Sequence, residues 1–232
     1  MKTKIEQLRS WIAESKRMVF FGGAGVSTES GIPDFRSVDG LYHQKFDYPP
    51  ETILSHTFYR SHTEEFFRFY RNKMLFPNAQ PNAAHKKLAE LEVAGKVRAV
   101  ITQNIDGLHQ AAGSQNVLEL HGCVHRNFCQ QCHRCYPAEH VLQSIGVPHC
   151  ACGGVVKPDV VLYEEGLDEE TLSASMCYLS EADMLIIGGT SLAVYPAASF
   201  IDFYRGEKLV LINKSSTPRD VSANLLIQGS IG

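Results

Sequence analysis

Apolar residues fall in short runs separated by helical or polar stretches: Met18–Phe21, Val97–Thr102, Val117–Leu120, Asp183–Gly188, Lys208–Asn213 and Asn224–Ile227. Several of these, such as Met184-Leu185-Ile186-Ile187 and Leu209-Val210-Leu211-Ile212, are apolar at every position rather than at alternate ones. Strands of that kind are covered on both faces, so the pattern predicts a Rossmann-like α/β core with a doubly wound parallel sheet. Ahead of the first run, Ile5, Leu8, Trp11 and Ile12 recur at helical spacing among charges, which predicts an amphipathic helix.

Two regions break the alternation. Residues 38–82 are rich in aromatics, with Phe58-Tyr59 and Phe66-Phe67-Arg68-Phe69-Tyr70, and predict a helical, lid-like insert. Residues 123–157 are dense in Cys and His and poor in long apolar runs, and predict a small zinc-binding module. The remaining stretches, 1–37, 83–122 and 158–232, are assigned to the nucleotide-binding core of a single catalytic domain spanning 1–232.

Composition narrows the partners. The 232 residues carry a formal charge of −3, with 22 basic and 25 acidic side chains spread without long runs. That distribution offers no electrostatic footprint for nucleic acid or an anionic membrane. No stretch reaches the roughly 18 consecutive apolar residues of a spanning helix, and the N-terminus lacks the apolar centre of a signal peptide. A cytoplasmic protein is expected.

The first apolar run leads directly into Gly22-Gly-Ala-Gly-Val-Ser-Thr. Glycines after a strand let backbone amides approach an anion, and a following helix adds a favourable dipole, so Gly23 and Gly25 point to a nucleotide phosphate. Thr28 stands where a dinucleotide fingerprint has its third glycine.

Of seven cysteines, five lie between Cys129 and Cys152. Cys129 and Cys132 form a C-x-x-C pair, and Cys150 and Cys152 a second pair followed by two glycines. Four thiolates in two close pairs suit one tetrahedral zinc ion with every position filled by protein, hence a structural site. Cys135, His125, His133 and His149 are the competing donors.

Gln103, Asn104 and Asp106 follow the run Val97–Thr102, and His121 follows Val117–Leu120. Open α/β sheets bind ligands at the carboxyl ends of their strands, and a histidine there can serve as a general base. Gly189-Thr190-Ser191 and Asn213-Lys214 follow two further runs with groups suited to a ribose or phosphate.

Taken in order, GAGVSTESGIPDFRS at Gly23–Ser37, TQNIDGLH at Thr102–His109, LHG at Leu120–Gly122, the two cysteine pairs, KPDVVLYEE at Lys157–Glu165, GGTSLAVYPAA at Gly188–Ala198 and LVLIN at Leu209–Asn213 carry a resemblance. They resemble the sirtuin family, NAD-dependent protein-lysine deacylases, and its bacterial branch in particular. The resemblance implies a deacetylase that uses NAD, releases nicotinamide and forms O-acetyl-ADP-ribose. In that chemistry the acyl oxygen attacks the nicotinamide ribose, and His121 deprotonates a ribose hydroxyl so that the alkylimidate collapses. Asn104 and Asp106 would hold the nicotinamide ribose and amide, with Gln103 and Ile105 lining the same pocket. Gly23, Ala24, Gly25, Thr28, Phe35 and Arg36 match the cofactor loop, and Gly189, Thr190, Ser191, Asn213, Lys214 and Ile231 the adenosine side. Val160, Val161, Leu162 and Tyr163 match the segment that pairs with an extended acylated-lysine peptide, with broad sequence tolerance. The expected protein is a monomer acting on acylated proteins or peptides.

Three departures qualify the match. Gly22 replaces a threonine, which predicts a more mobile loop and weaker NAD binding. Tyr70-Arg71-Asn72-Lys73 resembles the Tyr-x-x-Arg pair of desuccinylating members, with lysine where arginine grips the acyl carboxylate in a bidentate manner, and so favours acetyl. The chain ends at Ile231-Gly232, where relatives continue into a last helix, and reads as truncated. Within the family the alternatives are another deacylase activity or protein ADP-ribosyl transfer. Outside it, a dehydrogenase lacks its third glycine, and a zinc-knuckle interaction module leaves the polar constellation without a role.

Overall fold

The computed structural model describes residues 2–37, 40–193 and 197–232. Residues 194–196, inside the GGTSLAVYPAA stretch, and the first two residues of the expected insert lie outside the described residues. The first half of the chain runs α1 (Lys2–Glu14), β1 (Met18–Gly22), α2 (Pro50–Ile53), α3 (His56–Ser61), α4 (Thr63–Lys73), α5 (Ala83–Val93), β2 (Val97–Thr102), α6 (Leu108–Ala111) and β3 (Val117–Glu119). The second runs β4 (Gly122–Cys129), β5 (Cys135–Tyr136), α7 (Ala138–Gln143), β6 (Val156–Val160), α8 (Glu169–Glu181), β7 (Met184–Gly188), β8 (Leu209–Asn213) and β9 (Leu225–Gln228).

Six of the strands make an all-parallel sheet in the order β3-β2-β1-β7-β8-β9. Alternation along β1 shows why its residues are apolar throughout. Val19 and Phe21 pack on one face with Leu185, Ile187, Leu179 of α8 and Phe200, while Met18 and Phe20 pack on the other with Leu8, Trp11 and Ile12 of α1 and Leu88 of α5. Both faces are therefore buried, as the uninterrupted apolar runs require.

Chain order reverses at the β1/β7 boundary, where a doubly wound sheet opens a crevice at its carboxyl edge. The register brings the strand ends level there: Gly22 pairs with both Thr102 and Gly188, Thr102 with Glu119, and Gly188 with Ile212. The loops that carry the polar motifs consequently leave the sheet side by side.

A second sheet, β5-β4-β6, is antiparallel and holds the cysteines. It is wider than the expected 123–157 segment, since β4 begins at Gly122 and β6 runs to Val160. Its Val124 and Val160 share one core with Phe58, Tyr59, Phe66, Phe67 and Tyr70 of α3 and α4, so the insert and the cysteine-bearing sheet are packed as one body. Gly122 has φ 76°, and a Cβ there would fall 2.0 Å from the Asp159 carbonyl oxygen, which makes glycine obligatory right after His121.

Candidate functional site

A cavity of about 680 Å³ lies between the carboxyl edge of the large sheet and the insert. Its walls include the loops after β1, β2, β3, β7 and β8, together with Tyr70 and the stretch from Val160 to Tyr163.

The β1 loop does not continue into an α-helix. It forms two short 3-10 turns, Ala24–Val26 and Thr28–Ser30, so the expected helix dipole is missing. The Gly23 and Gly25 amides are also taken, bonding the carbonyls of Gly188 (3.2 Å) and Gly189 (2.7 Å). The glycines are required for a different reason: a Cβ on Gly23 would lie 2.8 Å from the Thr190 Cβ, and one on Gly25 2.8 Å from the Gly189 Cα. Loop-to-loop approach across the switch point, rather than amide-to-phosphate contact, fixes these two positions. Ala24, Gly25, Thr28, Phe35 and Arg36 line the cavity, and Gly23 lies behind them.

Beyond β2, the polar residues are tied to the β1 loop through Ser27. The buried Ser27 hydroxyl accepts from Asn104 Nδ2 (3.0 Å) and donates to Asp106 Oδ2 (2.6 Å). Asp106 Oδ1 accepts the Leu108 amide (2.9 Å), and the Thr102 hydroxyl accepts the Asn104 amide (3.0 Å). The Val124 amide of β4 bonds the Ile105 carbonyl (2.9 Å), and His125 Nε2 donates to the Asp106 carbonyl (3.1 Å). Among the described residues, Gln103 Nε2 and the Tyr70 hydroxyl are buried without a protein partner, and both residues border the cavity.

His121 Nδ1 lies 2.9 Å from the Gln103 carbonyl oxygen. A carbonyl only accepts, so Nδ1 carries the proton and Nε2 the lone pair. Burial, opposed in part by the bond to Gln103, pushes the imidazole pKa below its ordinary value and so favours the neutral form that a base requires.

On the far side, Asn213 and Thr190 lock together: Asn213 Oδ1 accepts the Thr190 amide and Asn213 Nδ2 donates to the Thr190 carbonyl, each at 3.0 Å. Gly189 takes φ 60°, and a Cβ there would meet the Val26 amide nitrogen at 2.3 Å. Ser191 and Lys214 are exposed on the cavity wall, and Ile231 packs so closely on Gly188 that a Cβ there would lie 2.1 Å from its Cδ1.

The Val160–Tyr163 segment differs from the expected open strand edge. Regular pairing stops at Val160, and the next three amides are engaged: Val161 with the His121 carbonyl (3.0 Å), Leu162 with Glu165 Oε2 (2.9 Å) and Tyr163 with the Leu54 carbonyl (3.0 Å). Among the described residues, a guest chain is left the Val161 carbonyl and the Glu164 peptide unit. Glu164 takes φ 76°, held there by its carboxylate accepting from the Thr57 amide and hydroxyl at 2.9 and 2.7 Å.

The thiols of Cys129, Cys132, Cys150 and Cys152 all lie within 4.8 Å of one another, with the Cys129–Cys152 and Cys132–Cys150 sulfurs 3.5 Å apart. Tetrahedral thiolates at about 2.3 Å from an ion stand about 3.8 Å apart, so this set fits one metal ion. The Gln131 and Cys132 amides point at the Cys129 sulfur, and the Tyr136 hydroxyl donates to Cys150 at 3.0 Å, which orients the ligands. Cys135, His125, His133 and His149 are not part of the cluster.

Sequence reasoning did not name Ser27, Thr102 or Tyr42 as site members, although Ser27 and Thr102 lie inside motifs that carry the resemblance, and it weighed His125 only as a metal donor.

The Sir2 family model matches residues 23–196. An NAD-dependent protein deacetylase of Clostridium acetobutylicum is 60% identical over 233 residues, covering 99% of this chain and 95% of the relative. One from Clostridium perfringens is 57% identical, covering 100% and 97%. Among solved structures, Sir2 with a p53 peptide and NAD+ superposes with a TM-score of 0.86 at 40% identity, covering 98% of this chain and 93% of that one. Sir2 bound to acetylated peptide matches with a TM-score of 0.86 at 39% identity, covering 98% and 93%.

Proposed function

This chain belongs to the Sir2 family, and from that premise we propose that it is an NAD-dependent protein-lysine deacetylase. The observation that carries the reading is His121, with Nδ1 bound to the Gln103 carbonyl and Nε2 left as the basic nitrogen on the cavity wall. NAD enters as a co-substrate and supplies the ribose carbon that receives the acyl oxygen as nicotinamide leaves.

Every other step belongs to the chain. His121 takes the proton of a ribose hydroxyl at Nε2. Asn104 and Asp106, steadied by Ser27, hold the nicotinamide ribose and amide, with Gln103 and Ile105 beside them. Ala24, Thr28, Phe35 and Arg36 close over the dinucleotide, and Thr190, Ser191, Asn213, Lys214 and Ile231 form its adenosine side. Gly23, Gly25 and Gly189 allow the two loops to touch. The acylated peptide lies along Val160–Tyr163 with its side chain directed toward Tyr70.

Acetyl is the favoured acyl group. Lys73, which stands at the position of the arginine in the Tyr-x-x-Arg pair, three residues after Tyr70 on α4, donates to Gln44 Oε1 at 2.9 Å and sits 5.4 Å from the centre of the Phe46 ring, so it is already engaged and ill placed to hold a succinyl carboxylate. The four-cysteine cluster holds one structural Zn2+, and the chain divides as its motifs suggest into a core, an insert (38–82) and a zinc module (123–157). No helix among the described residues is long and apolar enough to cross a membrane. The reading is of a cytoplasmic monomer that acts on acylated proteins or peptides.

The test is mass spectrometry of purified protein with acetyl-, succinyl- and unmodified lysine peptides, with and without NAD. Nicotinamide and O-acetyl-ADP-ribose that appear only with acetyl peptide and NAD together support the proposal. Hydride transfer, or nicotinamide release independent of acyl peptide, overturns it.

A further inference from the structure

Two tyrosine hydroxyls meet across the mouth of the cleft. Tyr42 and Tyr163 both border the cavity, and their hydroxyl oxygens are 2.7 Å apart although the residues are 121 positions apart in sequence. On one side Tyr42 is part of the nucleotide loop. The Leu41 and Tyr42 amides bond the carbonyls of Asp34 (2.8 Å) and Phe35 (2.9 Å). The Tyr42 ring meets Phe35 edge-on with centroids 5.6 Å apart, and the Arg36 guanidinium lies 5.3 Å from its centre. On the other side Tyr163 is part of the peptide-facing segment, its amide and carbonyl bonded to Leu54 and His56 at 3.0 Å each. Phe35 and Arg36 are thus joined to Val160–Tyr163 through one hydroxyl pair.

We propose that the Tyr42–Tyr163 hydroxyl pair couples the two substrate sites, so that occupancy of the dinucleotide site raises the affinity for acylated peptide, and the reverse by the same factor. This inference rests on the deacetylase reading above. A ligand that immobilises Phe35 and Arg36 also fixes the Tyr42 hydroxyl and presents Tyr163 with a stationary partner. The second ligand then orders less of the chain and binds more tightly, and linkage makes the effect reciprocal. The ternary complex is favoured over either binary one. Both tyrosines act as positioning residues through this bond.

The experiment measures the dissociation constant of an acetyl-lysine peptide by calorimetry with and without saturating ADP-ribose, which carries both phosphates and both riboses but cannot react. Wild type should bind peptide about fivefold tighter with ADP-ribose present, the size expected when one neutral hydrogen bond is at stake. Tyr42→Phe keeps the contacts with Phe35 and Arg36 and removes only the hydroxyl, and should bring the ratio close to one. Tyr163→Phe should do the same, and the double variant should go no further. Because the readout is a ratio, any change in the affinity for one ligand alone divides out. An unchanged ratio in Tyr42→Phe, or single effects that add in the double variant, overturns the coupling. Wild type that binds neither ADP-ribose nor peptide overturns the deacetylase reading itself, and the coupling with it.

Discussion

Replacing Ser27 by alanine removes one oxygen from a buried position and leaves the packing around it intact. Among the described residues that oxygen is the one atom bonded to both the Asn104 amide (3.0 Å) and the Asp106 carboxylate (2.6 Å), the two groups assigned to the nicotinamide end of the site. A neutral hydrogen bond contributes about 0.5–1.5 kcal/mol and one to a carboxylate about 1.5–3 kcal/mol, for a joint loss of about 2–4.5 kcal/mol. Asp106 is only half-buried beside an open cavity, so water replaces part of the lost bonding and about 2 kcal/mol is the expected net effect. At about 1.4 kcal/mol per decade that is a fall of about 30-fold in kcat/KM for NAD. The assay is initial-rate nicotinamide release with NAD varied at saturating acetyl peptide, alongside a thermal melt. A variant within twofold of wild type in kcat/KM would show that Ser27 does not position Asn104 and Asp106, and a large drop in Tm would move the effect from the site to the fold.

His121→Ala should retain NAD binding by calorimetry and lose deacetylation by about 100-fold or more, as expected for a removed general base; turnover near wild type would take His121 out of the mechanism. Because burial lowers the His121 pKa, the neutral base persists to lower pH than a free imidazole, and the acid limb of kcat/KM should fall below pH about 6.5, whereas a limb above that value contradicts the assignment. Gly25→Ala drives a Cβ to 2.8 Å from the Gly189 Cα and carbonyl oxygen, both backbone, so NAD affinity should fall at least about tenfold with the metal still bound. The purified protein should carry one zinc per chain by mass spectrometry, and Cys150→Ser should lower both the zinc content and the Tm; a metal-free wild type of equal Tm would refute a structural role. Acid stability reports the buried His109, whose pKa is pushed down to about 3 by burial, with its neighbour His85 adding to the shift. The unfolded chain then binds a proton that the folded chain refuses, so its contribution is present above pH about 6.5 and is lost as pH falls toward 3, about 2 kcal/mol by pH 5. His109→Phe should flatten that loss in chemical denaturation, and an unchanged pH slope would contradict it.

The sheet was readable from the chain because buried parallel strands leave no choice of residue: Met184-Leu185-Ile186-Ile187 and Leu209-Val210-Leu211-Ile212 are apolar throughout and had to be covered on both faces. The four cysteines were readable for a similar reason, since close pairs of thiols have few other uses. Contacts between distant segments were not. Ser27 reaches Asp106 across 79 positions, and neither residue's neighbours announce the meeting. The glycines of the first loop were noticed for the wrong physical reason, because nothing in Gly22-Gly-Ala-Gly shows that Gly189 arrives from another strand to fill the space. The Val160–Tyr163 stretch has the composition of a strand, yet backbone bonds to His121 and Leu54 and a carboxylate from Glu165 occupy its amides, a competition visible only in three dimensions.

The level register of β1, β2, β3, β7 and β8 makes the two edges of the large sheet unequal toward changes in chain length. Deleting one residue inside any of these strands moves its carboxyl-edge loop by about 3.3 Å and turns its side chains to the opposite face, which separates Gly25 from Gly189 or Ser27 from Asn104. At the amino edge the connections only have to reach. Insertions and deletions should therefore be tolerated in the turns entering the strands, such as Gly95-Lys96 before β2 or Gly206-Glu207 before β8, while the turns leaving them keep a fixed length. The sheet acts as a ruler that is read from one end.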